Sequence, residues 1–579
     1  MPVHNEEVAL IFDELADLLE IESANPFRVR AYRNAARTVR SLGRELRQMV
    51  ANGEDLTELP GIGKDLAGKI KEILSTGHAA VLDKLHTEVP ASLETLLKIP
   101  GLGPKRVKSL YLDLHIQTLA QLEAAARSGR LRELPGFGEK TERRILESIA
   151  SHHTVVQRAL RTVARQFAEP LVAYLKAVPG VDDVVVAGSY RRGKETVGDL
   201  DILATTRGES AVMERFVHYS EVVEVVSKGS TRATVVLHSG LQVDLRVVEQ
   251  HSFGAALHYF TGSKAHNIQV RRLGQQRGLK INEYGVFKME GGEETRVGGE
   301  TEASVFNAVG LPLIPPELRE GHGEIEAAQA GRLPKLIELS DLTGDLHVHT
   351  HASDGHAGIE EMARAARSAG LHYIAITDHT RSLTIAHGLD EERLSRQIDE
   401  IDRLNEQLDG ITILKGSEVD ILEDGTLDLP ESILARLDLV IGAIHTKFNL
   451  SAKKQTARIV RAMNSRYFSL LAHPSARLLG EREALAVDMQ QIIAAAHQRG
   501  CYLELNSQPQ RLDLTEVYCP SAKEQGVLVC INSDGHYPND FAFLEGGVEQ
   551  GRRGWLEKGD VLNTRSLPAL RKALKATMG

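Results

Sequence analysis

Cysteine is scarce in this chain: Cys501, Cys519 and Cys530 are the only three among 579 residues. Their spacing fits neither a zinc knuckle nor a disulfide framework, so the expected compartment is a reducing cytosol and the expected location cytoplasmic. No apolar run is long enough to read as a membrane span. The opening, MPVHNEEVALIFDELADLLE, is acidic and helix-like and lacks the basic-then-apolar order of a signal peptide. Positive charge is also short, 69 Lys+Arg against 79 Asp+Glu for a net charge of -10. Such a balance argues against a phosphate-rich partner, but it is uneven. Residues from 340 onward carry -8 and everything before them only -2, so the front half has room for basic patches. At ~150 residues per domain the length implies about four folding units.

The largest basic patch is RVRAYRNAARTVRSLGRELR, residues 28–47, with seven arginines and one acid. Arg30, Arg33, Arg37, Arg40, Arg44 and Arg47 are three and four apart, which on one helix makes a continuous cationic stripe. The alternative is a solvated face, although such faces normally mix signs. A repeat follows: LPGIGKDLAGKI (59–70), IPGLGPKRVKSL (99–110) and LPGFGEKTERRI (134–145) share an apolar residue, Pro, Gly, an apolar residue and Gly before a basic helical run. Gly61 and Gly63, Gly101 and Gly103, and Gly136 and Gly138 permit tight interhelical turns, and the free N–H groups opening each second helix can hold a phosphate. Such turns also merely join helices; three copies within about 90 residues favour binding to a DNA backbone.

Two strand-like stretches, VDDVVVAGS (181–189) and DLDILAT (199–205), flank a basic turn. In the second, period-two geometry puts Asp199 and Asp201 on one face. Asp244, in LQVDLRVVE, is a third candidate carboxylate. Three carboxylates on adjacent strands form an oxygen cage for Mg²⁺ or Mn²⁺, and two such ions would activate a 3′-hydroxyl and stabilise departing pyrophosphate. An aspartate pair capping a turn is the bland reading; it leaves Gly188, Ser189, Arg191 and Arg192 unexplained, the residues a triphosphate needs.

Beyond a Pro-rich passage (310–335) that reads as a linker with one short helix, the composition turns to histidine. GDLHVHTHASDG holds His347, His349 and Asp354; AITDHT holds His379; LKGSEVDI holds Glu418; VIGAIHTK holds His445; LLAHPS holds His473; CINSDGHYP holds Asp534 and His536. Each candidate ends a short apolar run that precedes a helix-like stretch, the βα rhythm of a barrel whose ligands gather at the carboxyl ends of its strands. A lone buried histidine is usually structural; nine such ligands, expected at seven strand ends, are not all so. His351, His356, His372 and His387 lie outside this pattern.

These motifs resemble known families. The repeats resemble helix-hairpin-helix elements, and the first, with RAYRNAARTV, resembles the amino-terminal lyase domain of DNA polymerase beta. That likeness implies Lys69 as a Schiff-base lysine and Arg28, Tyr32 and Lys64 as 5′-phosphate contacts, with Asp65 where a second phosphate-contacting lysine is usual; a plain surface lysine is the other reading of Lys69. GSYRRGKETVGDLDIL and YFTGSKAHNIQVRRLGQQRGLKINEYGVF resemble family X DNA polymerases over residues 1 to about 320. The resemblance implies that Ser189 and Arg192 hold the triphosphate, Asp199 and Asp201 bind both metals and Asp244 the catalytic one. It also implies Tyr259, Phe260 and Gly262 as a sugar platform and Asn267 at the base edge. Gln242 and Lys264 depart from the pattern; Lys264 could add nucleotide affinity. Residues 340–579 resemble the PHP (polymerase and histidinol phosphatase) family, which implies three divalent metals: one on His347, His349, Glu418 and Asp534, a second on Glu418, His445 and His473, a third on Asp354, His379 and His536. Imidazole with carboxylate suits Mn²⁺, Zn²⁺ or Fe²⁺.

The expected architecture is therefore multidomain. It comprises a helical lyase-like domain (1–90), a helix-hairpin-helix domain (91–155), an α+β nucleotidyltransferase palm (156–250), a nucleotide-selection subdomain (251–320), a linker (321–340) and a distorted (βα)7 barrel (341–579). The expected function is gap-filling DNA polymerisation in repair with 3′-5′ exonuclease action, on gapped or nicked DNA and dNTPs, as a monomer. The rivals are a non-catalytic repair scaffold and a template-independent nucleotidyltransferase with a vestigial phosphoesterase. Long phosphate-binding tracks speak against the latter and intact ligand sets against the former.

Overall fold

The computed structural model describes residues 3–578 except 4, 23, 43–45, 90, 91, 98, 100, 101, 135, 140, 144, 147–157, 209, 291 and 292. It divides into two compact units, one of residues 1–158 with 220–223 and 236–241, the other of the remainder. Among the described residues up to 146 the regular elements of the first unit are all helical, around a core that includes Phe12, Leu15, Tyr32, Val39, Ile70 and Leu110. Helix Pro26–Ser41 starts where Asn25 accepts from the Phe27 N–H and Pro26 takes the first turn. It stops at Ser41, and Arg47 belongs to a separate helix, Leu46–Ala51. The arginine stripe is therefore not continuous. Arg33 pairs with Asp17 at 2.7 Å and Glu20 at 2.9 Å, and Arg40 with Asp13 at 2.5 Å, so the acidic first helix neutralises part of it. Arg28, Arg30, Arg37 and Arg47 stay exposed; Arg44 lies outside the described residues.

The second unit opens with a ribbon of β1 (Ala159–Leu160) and β3 (Thr196–Val197). The palm is a five-stranded sheet of β2 (Val181–Val186), β4 (Asp199–Thr206), β5 (Val222–Lys228), β6 (Arg232–Leu237) and β7 (Gln242–Val248), ordered β2-β4-β7-β6-β5. A three-stranded antiparallel sheet follows, β8 (Leu279–Asn282), β9 (Gly285–Glu290) and β10 (Glu293–Gly298), packed with helices Phe253–Thr261, Lys264–Gln276 and Glu302–Ala308. The Pro-rich passage, expected to be a linker, is instead part of this core. Leu311, Ile314, Leu318, Ile325 and Leu336 are buried with Val270 and Phe306, and its short helix Glu324–Gln329 buries Glu324 against His266 at 2.7 Å. Apolar residues among its prolines give it a face to bury.

The last seven strands are β11 (Gly344–Val348), β12 (Tyr373–Ile376), β13 (Thr412–Asp420), β14 (Leu439–Ala443), β15 (Leu470–Leu471), β16 (Tyr502–Asn506) and β17 (Val529–Asn532). They pair in parallel in chain order. His349 N–H donates to Gly535 O at 2.9 Å and Gly535 N–H to His347 O at 3.3 Å, bringing the two edges together. The fold is thus an all-α helix-hairpin-helix region, an α+β palm and a (βα)7 barrel. Strands covered on both faces are continuously apolar, as in β12 and β14. Among the described residues no helix is long and apolar enough to cross a membrane.

Candidate functional sites

Register assembles the palm carboxylates. β4 and β7 are parallel, with Asp199 beside Gln242 and Asp201 beside Asp244. The Gly-Ser turn is held against them, Ala187 N–H donating to Asp201 O at 2.7 Å. At Gly188, φ is +61° and a Cβ would lie 2.5 Å from Asp201 Oδ2, so only glycine fits. Burial, with Asp199 and Asp244 as like-charged neighbours, pushes the Asp201 carboxyl up to about 6. That charge density is what a divalent cation relieves. Asp244 is buried and accepts from Thr234 Oγ1, and Gln242 Nε2 is 3.4 Å from its Oδ2. Arg232, on the neighbouring strand β6, brings a guanidinium within 3.5 Å of it.

The two arginines of the turn differ. Arg192 donates to Thr261 O at 2.7 Å and to Glu320 at 2.8 Å. Arg191, grouped with the triphosphate residues above, points elsewhere: it forms a two-pronged pair with Glu302 at 2.7 and 2.8 Å and reaches Thr261 Oγ1 at 2.7 Å. Fully buried Arg319 shares that carboxylate, making Arg191 an anchor. Tyr259 and Phe260 meet edge to face at 5.0 Å, with Arg271 over the first ring and Arg246 over the second. Asn267 Nδ2 donates to Tyr259 O and Gly262 O. A Cβ at Gly262 would sit 2.6 Å from Asn267 Oδ1. Lys264 is exposed at the start of its helix.

In the helical unit the three repeats share one turn. Ile62 N–H donates to Leu59 O at 3.0 Å, Leu102 to Ile99 at 2.9 Å and Phe137 to Leu134 at 3.1 Å. All six apolar residues are buried. Gly61 and Gly136 have positive φ, Gly63 and Gly103 cap the following helices, and Gly138 O accepts from Thr141 and Glu142; Gly101 lies outside the described residues. Arg28 and Lys64 are exposed, whereas Tyr32 is buried against Phe12. Lys69 is mostly buried, 6.0 Å from the Tyr32 ring, and donates to Asp65. A lysine nucleophile needs a free amine; here Nζ is engaged as a donor.

The barrel gathers all nine histidine-motif side chains. His379 Nδ1 is 2.9 Å and His473 Nε2 2.8 Å from Glu418, with His445 Nε2 at 3.3 Å, His347 Nε2 at 3.4 Å and His349 Nε2 at 3.5 Å. Asp354 takes His379 at 3.3 Å and His536 at 3.5 Å; Asp534 takes His349 at 3.2 Å and His347 at 3.6 Å. Ligand atoms close enough to share an ion fall into three groups: His349, Asp354, His379 and His536; His347, His349 and Asp534; His379, Glu418 and His445. His349 and His379 thus each lie at the boundary of two groups, which the expected partition did not provide for. Six strands carry the nine residues, not seven. The remaining one, β16, brings Glu504, whose carboxylate accepts from His347 Nδ1 at 2.7 Å and His473 N–H at 2.7 Å. Asp420 does the same for His445 Nδ1 at 3.1 Å, leaving Nε2 of both rings toward the centre.

The electrostatics are those of a cation site. At His347 and His379, burial alone would push the imidazole down, yet neighbouring carboxylates raise both well above the ordinary value. Glu418 is buried but held far below the carboxylate range by His379, His445 and His347. Nε2 of His347, both ring nitrogens of His349 and Nδ1 of His379 are buried and make no hydrogen bond. Unpartnered buried donors and acceptors are costly, and divalent metals would satisfy them, so the donor set fits. Glu504 and Asp420 escaped sequence reading: Glu504 sits in an ordinary strand, YLELN, and its only signal is a charge inside a buried strand.

Five families match: a helix-hairpin-helix domain over 3–79, a SAM-like helix-hairpin-helix tandem over 93–151, the DNA polymerase beta palm over 158–272, the DNA polymerase beta thumb over 256–320 and the PHP domain over 345–508. The last match stops before β17, whose loop carries Asp534 and His536. A Bacillus subtilis (strain 168) relative, DNA polymerase/3'-5' exonuclease PolX, is 38% identical over 575 residues, 99% of this chain and 100% of the relative. A probable phosphatase of Thermoanaerobacter sp. (strain X514) is 32% identical over 232 residues, 38% of this chain and 89% of the relative. Rattus norvegicus DNA polymerase lambda is 27% identical over 302 residues, 47% of this chain and 49% of the relative.

Proposed function

Because the chain belongs to the family X DNA polymerases that carry a carboxyl-terminal PHP domain, and is a divalent-metal-dependent DNA polymerase and 3′-5′ exonuclease, we propose that it fills short gaps in DNA during repair and trims 3′ ends at its barrel site. For polymerisation, Asp199, Asp201 and Asp244 hold two Mg²⁺ or Mn²⁺ ions, which when bound lower the cost of deprotonating the primer 3′-hydroxyl and neutralise departing pyrophosphate. The protein's own groups orient the nucleotide. Ser189 and Arg192 take the triphosphate once Arg192 leaves Glu320. Tyr259, Phe260 and Gly262 support the sugar, Asn267 faces the base edge, and Lys264 adds charge at the rim. The observation that carries this reading is the Asp201–Asp244 register beside Gly188.

For trimming, the nine barrel residues hold up to three Mn²⁺, Zn²⁺ or Fe²⁺ ions, which supply an activated water and a clamp on the phosphodiester. Glu504 and Asp420 fix the rings of His347 and His445. A scaffold would have no use for buried, unpartnered ring nitrogens, which disfavours the non-catalytic reading. The exposed Arg28, Lys64 and hairpin turns bind the phosphate backbone of gapped or nicked DNA. The proposed state is a cytoplasmic monomer using dNTPs. The test is a one-nucleotide-gapped duplex with dNTPs and Mg²⁺ or Mn²⁺, then a 3′-overhang. Asp201→Ala should lose extension and keep degradation, His349→Ala the reverse. Extension by the first variant or degradation by the second refutes the respective assignment.

A further inference from the structure

One carboxylate joins the Gly-Ser turn of the palm to the barrel. Glu320 Oε1 accepts from Arg192 Nε at 2.8 Å and from Arg553 Nη1 at 3.1 Å, with Lys194 Nζ at 3.7 Å. Arg192 and Lys194 follow Ser189 in the turn, whereas Arg553 ends the helix Leu544–Arg553 beside the barrel. The Arg192 and Glu320 side chains are largely buried and that of Arg553 is 3% exposed, so water and salt screen these pairs weakly. Burial opposes the charge on Glu320, but Arg192, Lys194 and Arg553 hold its carboxyl below the usual range.

The helix meets the turn along one face. Glu545, Glu549 and Arg553 are four residues apart and share that face: Glu545 pairs with Arg165 at 2.7 Å, Glu549 pairs with Arg161, and Arg553 Nη1 also donates to Arg192 O at 3.2 Å. Arg161 in turn donates to Tyr190 O at 3.1 Å. On its other side the helix is pressed onto the barrel, where a Cβ at Gly547 would collide with Ser507 Oγ. Arg553 is therefore fixed from the barrel side, and Glu516 accepts from its Nη2 at 2.6 Å. Its Nε is buried and makes no hydrogen bond. A buried donor without an acceptor is costly, so Arg553 has bonding capacity that this arrangement leaves unused. Glu320, by contrast, lies just beyond a single 3-10 turn, Pro316–Leu318, and divides one oxygen among three cations.

We propose that Glu320 and Arg553 are positioning residues of the polymerase site: without nucleotide Glu320 holds the Arg192 guanidinium, and when a dNTP arrives the carboxylate passes to Arg553, so that a side chain of the barrel half sets the palm's affinity for its nucleotide. This rests on the reading of Arg192 as a triphosphate contact. A triphosphate carries more charge than one carboxylate and can take Arg192 from it. The released Glu320 would then be a buried anion beside the incoming phosphates, which is unfavourable unless a second cation receives it. Arg553 is already in contact and has a donor to spare. Lys194 is the weaker alternative, farther away at 3.7 Å and with a side chain 36% exposed.

The test measures KM for dNTP and kcat separately, with the full chain filling a one-nucleotide gap in Mg²⁺. Arg553→Gln should raise KM about 10-fold with kcat little changed, and Arg553→Lys, which keeps the charge, should restore most of the affinity. Glu320→Gln should lower KM, because Arg192 then has no carboxylate to leave. In Glu320→Gln/Arg553→Gln the effect of losing Arg553 should vanish. Mn²⁺-dependent degradation of a 3′-overhang should match the wild type throughout, which shows that the barrel is folded. Where Arg553→Gln loses that activity as well, Glu516→Gln provides the readout: it leaves Arg553 to Glu320 alone and should lower KM only while Glu320 is present. An unchanged KM in folded Arg553→Gln, a raised KM in Glu320→Gln, or an Arg553 or Glu516 effect of the same size with and without Glu320 overturns the proposal, the last making the residue a distant charge only. If Arg192→Gln leaves KM unchanged, the triphosphate reading of Arg192 itself fails.

Discussion

Glu302 offers a perturbation whose size follows from its surroundings. Its carboxylate begins a helix and is shared by Arg191 and Arg319, of which Arg319 is fully buried. Burial opposes ionisation, but the two guanidiniums win and bring the carboxyl down to about 2. The drop from an ordinary glutamate is worth roughly 3 kcal/mol, close to the roughly 3–5 kcal/mol that breaking a buried pair costs. Glu302→Gln should therefore lose about 3 kcal/mol in urea unfolding at pH 7. A depressed folded value means that the stabilisation is complete above the unfolded value near pH 4.5 and fades as the pH falls toward 2. The gap between variant and wild type should accordingly be constant from pH 5 to 8 and narrow below. Because Arg191 also holds Thr261 and belongs to the turn carrying Ser189, the KM for dNTP should rise in gap filling while 3′-end degradation is unchanged. A variant within about 0.5 kcal/mol of wild type at pH 7, or a gap that does not narrow in acid, refutes the reasoning.

If Asp65 keeps Lys69 from acting as a nucleophile, borohydride trapping on an incised abasic site should be weak in the wild type. It should rise several-fold in Asp65→Ala and vanish in Asp65→Ala/Lys69→Ala; equal trapping in all three removes Lys69 from the chemistry. Chelation should lower the thermal transition and abolish 3′-end degradation, and Mn²⁺ at about 1,000 times its dissociation constant should restore about 4 kcal/mol; an unchanged transition would mean the nest is self-sufficient. Deleting residues 1–90 should weaken binding to a 5′-phosphorylated gap more than to plain duplex, and equal loss on both counts against a 5′-phosphate pocket.

Much of both sites was legible because it is written in short periods. Alternation put Asp199 and Asp201 on one face of β4, and glycines at fixed offsets marked three turns closed by the same backbone hydrogen bond. The repeated apolar-run-then-histidine pattern foretold the barrel. The arginine stripe misled because helical spacing says which side chains share a face but not what covers it; Asp13, Asp17 and Glu20 come from another helix. The linker misled for a related reason, since its prolines suggested irregularity while its leucines and isoleucines were the contacts that bury it.

By itself the sequence determined the chemistry available at each point: which strands carry carboxylates, which strand ends carry imidazoles and which turns can approach a phosphate. Those properties depend on residues two to four apart and on backbone geometry that any folded chain would impose. Only the tertiary structure decided the partners. It set Arg232 beside Asp244, turned Arg191 to Glu302, placed Glu504 behind His347 and brought Arg511 within 3.6 Å of Asp534. Each of these pairs joins separate strands or loops, in one case 157 residues apart, and local periodicity carries no information about which distant side chain will arrive; packing and register supply it.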